Sequence, residues 1–351
     1  MLVYGTRPEA IKLAPVAREL RRCKVATQQI DTGQHPAMVG EVERLFEIEG
    51  ALKLQTPNRG DPNQFFTDAS QRLSSAFREA GATQVVVQGD TASAFAAAQV
   101  GFLEGIPVHH VEAGLRSGDM TQPFPEEYFR RAISLVATRH YTPTPRATQH
   151  LVDEGIHPDA IHETGNTIVD ALKWVIDHTE ADLRGQYESR PPFVLMTAHR
   201  RENRGGGFHQ ICRAVQRVRA NGGPEFLWPL HPSPEVRQPV EAVLGEVDGV
   251  HLVPPMNYKE FLSALNGCCQ LWTDSGGIQE EAGSLGKPVV ILREVTERPE
   301  VVEAGLGVLA GTDEDAIIAA SDSFFQAPPG AAVTSPFGDG QAAKRIVADL
   351  R

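Results

Sequence analysis

Short apolar runs alternate with stretches of helical spacing along most of the 351-residue chain. The runs are Leu2–Tyr4, Val25–Asp31, Gln84–Gln88, Pro107–Val111 and Arg139–Thr142, then Phe193–Thr197, Glu225–Leu230, His251–Val253, Gln270–Asp274 and Pro288–Leu292. Around the first five lie helical patterns over Arg7–Arg22, Asn63–Ala80, Ala92–Leu103, Glu126–Val136 and Pro145–Glu154. Strand and helix in alternation predict parallel α/β sheets. The stretch Asp177–Pro192 is polar and strand-poor and reads as a helix end and linker. The pattern therefore predicts two Rossmann-like halves, residues 1–170 and 190–335. In residues 336–351, Ala342, Ala343, Ile346, Val347 and Leu350 fall at helical spacing, predicting a terminal helix that packs back on the first half. Two such halves would face a central cleft, with the ligand at the carboxyl ends of the strands.

Composition narrows the class. A chain of this length exceeds one ordinary core, and 41% hydrophobic with 22% charged residues is the balance of a soluble globular protein. No apolar run approaches the ~18 residues of a membrane span. No basic segment followed by a long apolar one opens the chain, so a cytoplasmic protein without a membrane partner is expected. Cys23, Cys212, Cys268 and Cys269 show neither metal-ligand spacing nor a disulfide framework. The net charge of -12 argues against a nucleic-acid surface, which needs a basic stripe. It leaves room for an anionic small molecule, because Arg7, Arg200, Arg201, Arg204, Arg293 and Arg298 lie near turn signals. Each of them alone also reads as a solvated surface charge. The first strand is short, which places the native start upstream as an expectation.

Candidate chemistry sits at the predicted strand ends. After Gln270–Thr273 comes Asp274-Ser275-Gly276-Gly277, then a helix opening that carries Glu281. Two glycines let backbone N–H groups approach a ligand, and a helix N-terminus favours an anion such as phosphate. A tightly packed strand-to-helix turn explains the same glycines. Near the N-terminus, Thr6 or Gly5 can cap a helix that starts with Pro8 in its first turn. There Arg7 and Lys12 line the cleft mouth, or are two surface cations. Asp90 follows Gly89 at a helix start, where a cap or a catalytic carboxylate would equally sit. Glu112, between apolar residues at a strand tip and before Ala113-Gly114, is harder to explain by stability. Glu126 and Glu127 complement a helix dipole. With Asp90 and Glu112, Glu126 would also complete a proton-transfer set. His109 and His110 point to opposite faces of a strand and read as structural. In the second half, His199 stands at a strand tip beside Arg200 and Arg201, and His231 ends another strand.

The motifs GTRPEAIK (Gly5–Lys12), QGDT (Gln88–Thr91), HVEAGLRS (His110–Ser117), PEE (Pro125–Glu127), AHRRE (Ala198–Glu202), TDSGGIQEE (Thr273–Glu281), LGKP (Leu285–Pro288), TERPE (Thr296–Glu300) and FGDG (Phe337–Gly340) occur in order. Along nearly its whole length the chain resembles the non-hydrolysing UDP-N-acetylglucosamine 2-epimerases. The resemblance implies a glycosyltransferase-B type fold and a homodimer without added cofactor or metal. It also implies interconversion of UDP-GlcNAc and UDP-ManNAc through elimination of UDP to 2-acetamidoglucal and re-addition. Asp90, Glu112 and Glu126 match the family's catalytic acids, and His199 matches the histidine near the diphosphate. Arg7, Lys12, Ser275, Gly276, Gly277, Glu281 and Arg298 match the UDP-binding set. Phe261 matches a residue that holds uracil, largely through backbone.

Some positions depart from the family pattern. Phe129 replaces an Asn beside the matched acid Glu126, and Ser134-Leu135 a more polar pair. Met256 stands where a Gln is common. Pro36 follows Gln34-His35 where many members have Arg, so Gln34, His35 and His231 would mark a degraded activator site. The departures predict either a loss of activator dependence or a modified sugar substrate. Rival readings are a hydrolytic relative, a glycosyltransferase and a nucleotide-sugar sensor.

Overall fold

The computed structural model describes residues 1–57, 60–185, 187, 190–198, 206–230, 233–328 and 335–351. The chain divides into two compact units, Met1–Trp174 with Phe337–Arg351, and Val175–Pro336. The first unit opens with β1 (Leu2–Tyr4), α1 (Arg7–Arg22), β2 (Gln29–Asp31), α2 (Pro36–Leu45), β3 (Leu52–Lys53) and α3 (Pro62–Glu79). It continues through β4 (Val85–Gln88), α4 (Ala92–Leu103), β5 (Val108–Val111), α5 (Glu126–Val136), β6 (Arg139–Thr142), α6 (Pro145–Asp153) and β7 (Ile161–Glu163). Helix α7 (Thr167–Gly185) carries the chain into the second unit. There follow β8 (Phe193–Thr197), α8 (Gly206–Ala220), β9 (Glu225–Pro229), α9 (Pro234–Leu244), β10 (Val250–Val253), α10 (Tyr258–Gly267) and β11 (Gln270–Thr273). The unit ends with α11 (Gly276–Ser284), β12 (Val289–Ile291), α12 (Pro299–Glu303), β13 (Gly307–Leu309) and α13 (Glu314–Gln326), and α14 (Ala342–Leu350) closes the chain.

Each unit is a parallel sheet. The first runs β3-β2-β1-β4-β5-β6-β7 and the second β10-β9-β8-β11-β12-β13. Central strands such as Val85–Gln88 and Gln270–Thr273 are buried along their whole length. Helices cover both faces, which is why these strands read as continuous apolar runs rather than alternating ones. In the second unit, Phe226 and Trp272 meet edge to face at 5.0 Å inside a core that includes Trp228, Phe208 and Val290. In the first, Phe65, Leu73 and Phe77 of α3 pack with Val85, Val87 and the alanines of α4.

The sequence pattern extends the second strand back to Val25, but pairing with β1 begins only at Gln29. Helix α14 belongs to the first unit. Asp170 accepts from the Ala342 and Ala343 amides at 3.2 and 3.0 Å, supplying the acceptors an α-helix start needs, and Tyr141 donates to Asp349 at 2.8 Å.

Strand order reverses between β1 and β4 in one unit and between β8 and β11 in the other. Such switch points leave a crevice at the carboxyl edge of a doubly wound sheet. Gly5-Thr6-Arg7 and Gly89-Asp90-Thr91 follow the first pair of strands, and Ser275-Gly276-Gly277 follows β11.

Candidate active site

At the first switch point, three strand-to-helix turns are drawn together. A Cβ on Gly5 would come within 2.1 Å of both Ser93 Oγ and Thr32 Oγ1, so only glycine fits there. Those two hydroxyls lie 2.7 Å apart, and Ser93 donates to Gln34 Oε1 at 2.6 Å. His35 begins the second turn, where its amide donates to the Gly5 carbonyl at 2.8 Å. Gln34 and His35 therefore help build the turn cluster. His231, the third residue of the expected activator remnant, lies outside the described residues.

The acids come next. Glu112 follows β5 with φ at +63°, a left-handed conformation rare for a residue with a side chain. Its carboxylate is buried, accepts from Gln88 Nε2 at 2.6 Å and forms an ion pair with Lys12. Lys12, matched to the UDP-binding set, thus stands with the acids. Asp90 forms an ion pair with the buried Arg130, whose other arm reaches Glu127 at 3.2 Å. Glu127 is fully buried and accepts in addition from Arg131 Nε at 2.9 Å and from the Ser117 amide at 3.1 Å. Glu126 opens α5 four residues before Arg130, on the same side of that helix. One helix thus carries both a candidate acid and the cation that holds another. Arg7 opens α1 and is half-buried.

The neighbouring histidines are no proton carriers at neutral pH. Burial lowers His110 to about 3 and His109 to about 4, so both stay neutral. His110 is held by the Gly89 carbonyl at 2.8 Å, in keeping with a structural role. Phe129 stacks on Phe95 at 4.9 Å, and Phe95 stacks on Phe66 at 5.1 Å. This aromatic ladder across α3, α4 and α5 accounts for an aromatic residue at that position.

In the second unit, the turn after β11 is ordered by hydroxyls. Thr273 and Thr197 share a 2.6 Å hydrogen bond, and the Ser275 amide donates to Thr273 Oγ1 at 3.0 Å. Ser275 stands at the N-cap position of α11 without a side-chain capping hydrogen bond, and Gly276 and Gly277 begin its first turn. A Cβ on Gly276 would lie 2.8 Å from Glu297 Oε1 and 3.6 Å from the Arg298 guanidinium carbon. Around Gly277, by contrast, the space is open to 4 Å among the described residues. Arg298 is buried, with Nε on Glu280 Oε1 at 2.6 Å and Nη1 at 3.4 Å from Glu297. Arg293 holds Glu297 from the other side at 2.7 Å. A helix N-terminus with a fixed guanidinium over it is suited to an anion. Glu281 is buried one turn into the same helix.

The Phe261 amide donates to the Asn257 carbonyl at 2.9 Å within α10 and its ring is buried, so its backbone donor is already used. His199 lies outside the described residues, as do Arg200, Arg201 and Arg204. Among the described residues no group of three or more His, Cys, Asp or Glu side chains is placed to hold a metal ion, and no helix is long and apolar enough to cross a membrane.

Sequence reading missed Arg130 as the partner of Asp90, Lys12 as the partner of Glu112, and Glu9. Only Glu9 left a local signal, an acid three residues after Thr6 in a capping-box pattern.

The fold agrees with what comparison with known proteins finds. A protein-family model described as UDP-N-acetylglucosamine 2-epimerase matches residues 18–351. The UDP-N-acetylglucosamine 2-epimerase of Salmonella typhimurium is 39% identical over 376 aligned positions, covering 100% of this chain and 98% of the relative. The crystal structure of the Neisseria meningitidis UDP-GlcNAc 2-epimerase bound to UDP-GlcNAc superposes with a TM-score of 0.93 at 37% identity, covering 99% of this chain and 98% of the other. The fold, of glycosyltransferase-B type, extends to Acinetobacter baumannii MurG, with a TM-score of 0.57 at 14% identity over 100% of this chain and 97% of the other. Family model, full-length relatives and superposed structure agree: this chain belongs to the UDP-N-acetylglucosamine 2-epimerase family.

Proposed function

We propose that the protein interconverts UDP-GlcNAc and UDP-ManNAc by elimination and re-addition of UDP. The observation that carries this is the acid cluster at the first switch point, where buried Glu112 and half-buried Asp90 are each held by a buried cation of their own. The Neisseria relative binds UDP-GlcNAc, and the Staphylococcus aureus MnaA structure, 36% identical, contains UDP.

The C2 proton of the sugar is weakly acidic, so direct inversion is slow. In the proposed route a carboxylate among Asp90, Glu112 and Glu126 takes that proton. The electron pair forms the C1=C2 bond, and the C1–O bond breaks with its electrons leaving on UDP. Return of a proton to the opposite face of C2 and attack of the UDP oxygen on C1 complete the inversion. The balance is redox-neutral and calls for no added oxidant or reductant. The departing diphosphate must be retained meanwhile. Arg298, Ser275, Gly276 and Gly277 supply that grip, with Glu281 on the ribose hydroxyls, Arg7 on the anionic part and His199 near the leaving group. The turn-bound Gln34 supports a further part of the reading, that the enzyme turns over without an activator.

A second copy of this chain is the expected partner, and the cytoplasm the expected compartment. Apart from Ser93 and Gln99, α4 is apolar around its circumference, the composition of a buried helix, yet Phe102 and Leu103 are 55% and 73% exposed. Leu135 on the adjoining α5 is 82% exposed. A dimer by light scattering agrees with this, and a monomer at all concentrations contradicts it.

Proton NMR of UDP-GlcNAc incubated with the protein in D2O tests the activity. UDP-ManNAc deuterated at C2 is the expected product. Free UDP with ManNAc would replace the reading by a hydrolytic one, and an unchanged spectrum would contradict it.

A further inference from the structure

Glu9 is fully buried at the third position of α1. Its Oε2 accepts from the Gly5 and Thr6 amides at 2.9 and 2.7 Å, and its Oε1 accepts from the Thr91 hydroxyl at 2.5 Å. These donors are neutral, and among the described residues no cation offsets the burial of the carboxylate. Burial accordingly pushes its carboxyl up to about 7, against the lowering effect of those hydrogen bonds. A helix cap does not require this, since capping the Gly5 and Thr6 amides uses only one of the two carboxylate oxygens and leaves Oε1 for Thr91. What distinguishes Glu9 is its reach between turns. Gly5 and Thr6 belong to the turn before Arg7. Thr91 directly follows Asp90 and caps α4, accepting from the Ala94 amide at 3.1 Å. One buried side chain therefore joins the turn that carries a candidate cation to the turn that carries a candidate acid.

We propose that Glu9 is a positioning residue for Asp90, clamping the β4–α4 turn onto the β1–α1 turn so that the Asp90 carboxylate is held where the proton is transferred. The proposal rests on the epimerase reading. Arg130 fixes the Asp90 carboxylate from α5, and Glu9 fixes the backbone that carries it. Removing the clamp lets the Asp90 turn shift without touching the substrate or the carboxylate itself.

The test is a kinetic cycle on the full-length enzyme with UDP-GlcNAc. Glu9→Ala is expected to lower kcat about thirtyfold or more, with KM changed less than about threefold, because small misplacements cost rate rather than binding. Glu9→Gln should restore kcat to within about threefold of the parent, since one amide oxygen can accept both backbone N–H groups while its NH2 faces Thr91. In an Asp90→Asn background, Glu9→Ala should remove less than about threefold of the residual rate, the non-additivity expected of residues acting through one another. Where Glu9→Ala does not fold, Thr91→Val and Thr91→Ser carry the same test, the first slowing turnover and the second restoring it. A Glu9→Ala enzyme that loses only thermal stability, or a full multiplicative loss in the Asp90→Asn background, would overturn the proposal. A parent enzyme that leaves UDP-GlcNAc unchanged would instead overturn the epimerase reading, and the proposal with it.

Discussion

The two switch-point sites are built on the same fold with opposite charge logic. In the first unit the candidate reactive groups are carboxylates, and buried cations hold them: Lys12 on Glu112 and Arg130 on Asp90. In the second the candidate anion-binding group is a cation, and buried carboxylates hold it: Glu280 and Glu297 on Arg298, with Arg293 behind Glu297. A buried ion pair contributes little net stability, because desolvating both charges offsets their attraction. The pairs are better understood as fixing one charge in one orientation. On the proposed reading the first unit fixes proton-handling groups and the second an anion hole, so damage to the supporting ion should have different kinetic consequences in each.

The largest effect is expected from Arg130→Met. It strips the partner from Asp90 and one of three from Glu127, so kcat should fall by about 10²–10³ and stability by about 3 kcal/mol. The Kd for UDP should stay within about twofold, because the second site is untouched. Steady-state kinetics, urea melts and UDP titration separate these outcomes. Equal losses in turnover and UDP affinity would erase the contrast between the units.

The next effect concerns pH. Glu9 is raised from 4.5 in the unfolded chain to about 7 when folded, chiefly by burial. A raised carboxyl contributes stability that is fully present below pH 4.5 and lost as pH rises through about 7. The loss is on the order of 3 kcal/mol. Glu9→Gln should flatten the parent's decline across that window in denaturant melts. An unchanged slope would show that Glu9 titrates normally.

In the second unit, Glu280→Gln should weaken UDP binding by about tenfold to thirtyfold, as expected for loosening a charge-assisted contact. Its kcat at saturating substrate should fall less than about threefold. Calorimetric titration with UDP checks the first part. The smallest change in the free protein is expected from Gly277→Ala. Open space surrounds that Cβ position among the described residues and φ there is not positive, so the melting temperature should not fall. UDP affinity should nonetheless drop by about tenfold if the backbone must approach a phosphate closely.

These contrasts also show what a sequence can reveal. Strands such as Val85–Gln88 and Phe193–Thr197 were legible because burial on both faces leaves an uninterrupted apolar run. The edge strands β3, β7 and β13 were not, since their residues are mostly exposed or only partly buried and leave no apolar run. Helix α2 escaped for a related reason: Gln34-His35-Pro36 reads as a loop, while Pro36 is the first helical residue. Candidate acids could be placed at strand tips from local pattern. Their partners could not, because Lys12 lies 100 residues from Glu112 and Arg130 lies 40 from Asp90. Glu9 was half legible, visible as a cap for Thr6 but not as the partner of Thr91, 82 residues away.

The most direct measurement is exchange of the C2 proton of UDP-GlcNAc with D2O, followed by NMR for the parent and for Glu112→Gln, alongside UDP titration of both. The account predicts that the variant loses most of the exchange, about a hundredfold or more, while binding UDP as the parent does. Exchange at the parental rate in Glu112→Gln would contradict it.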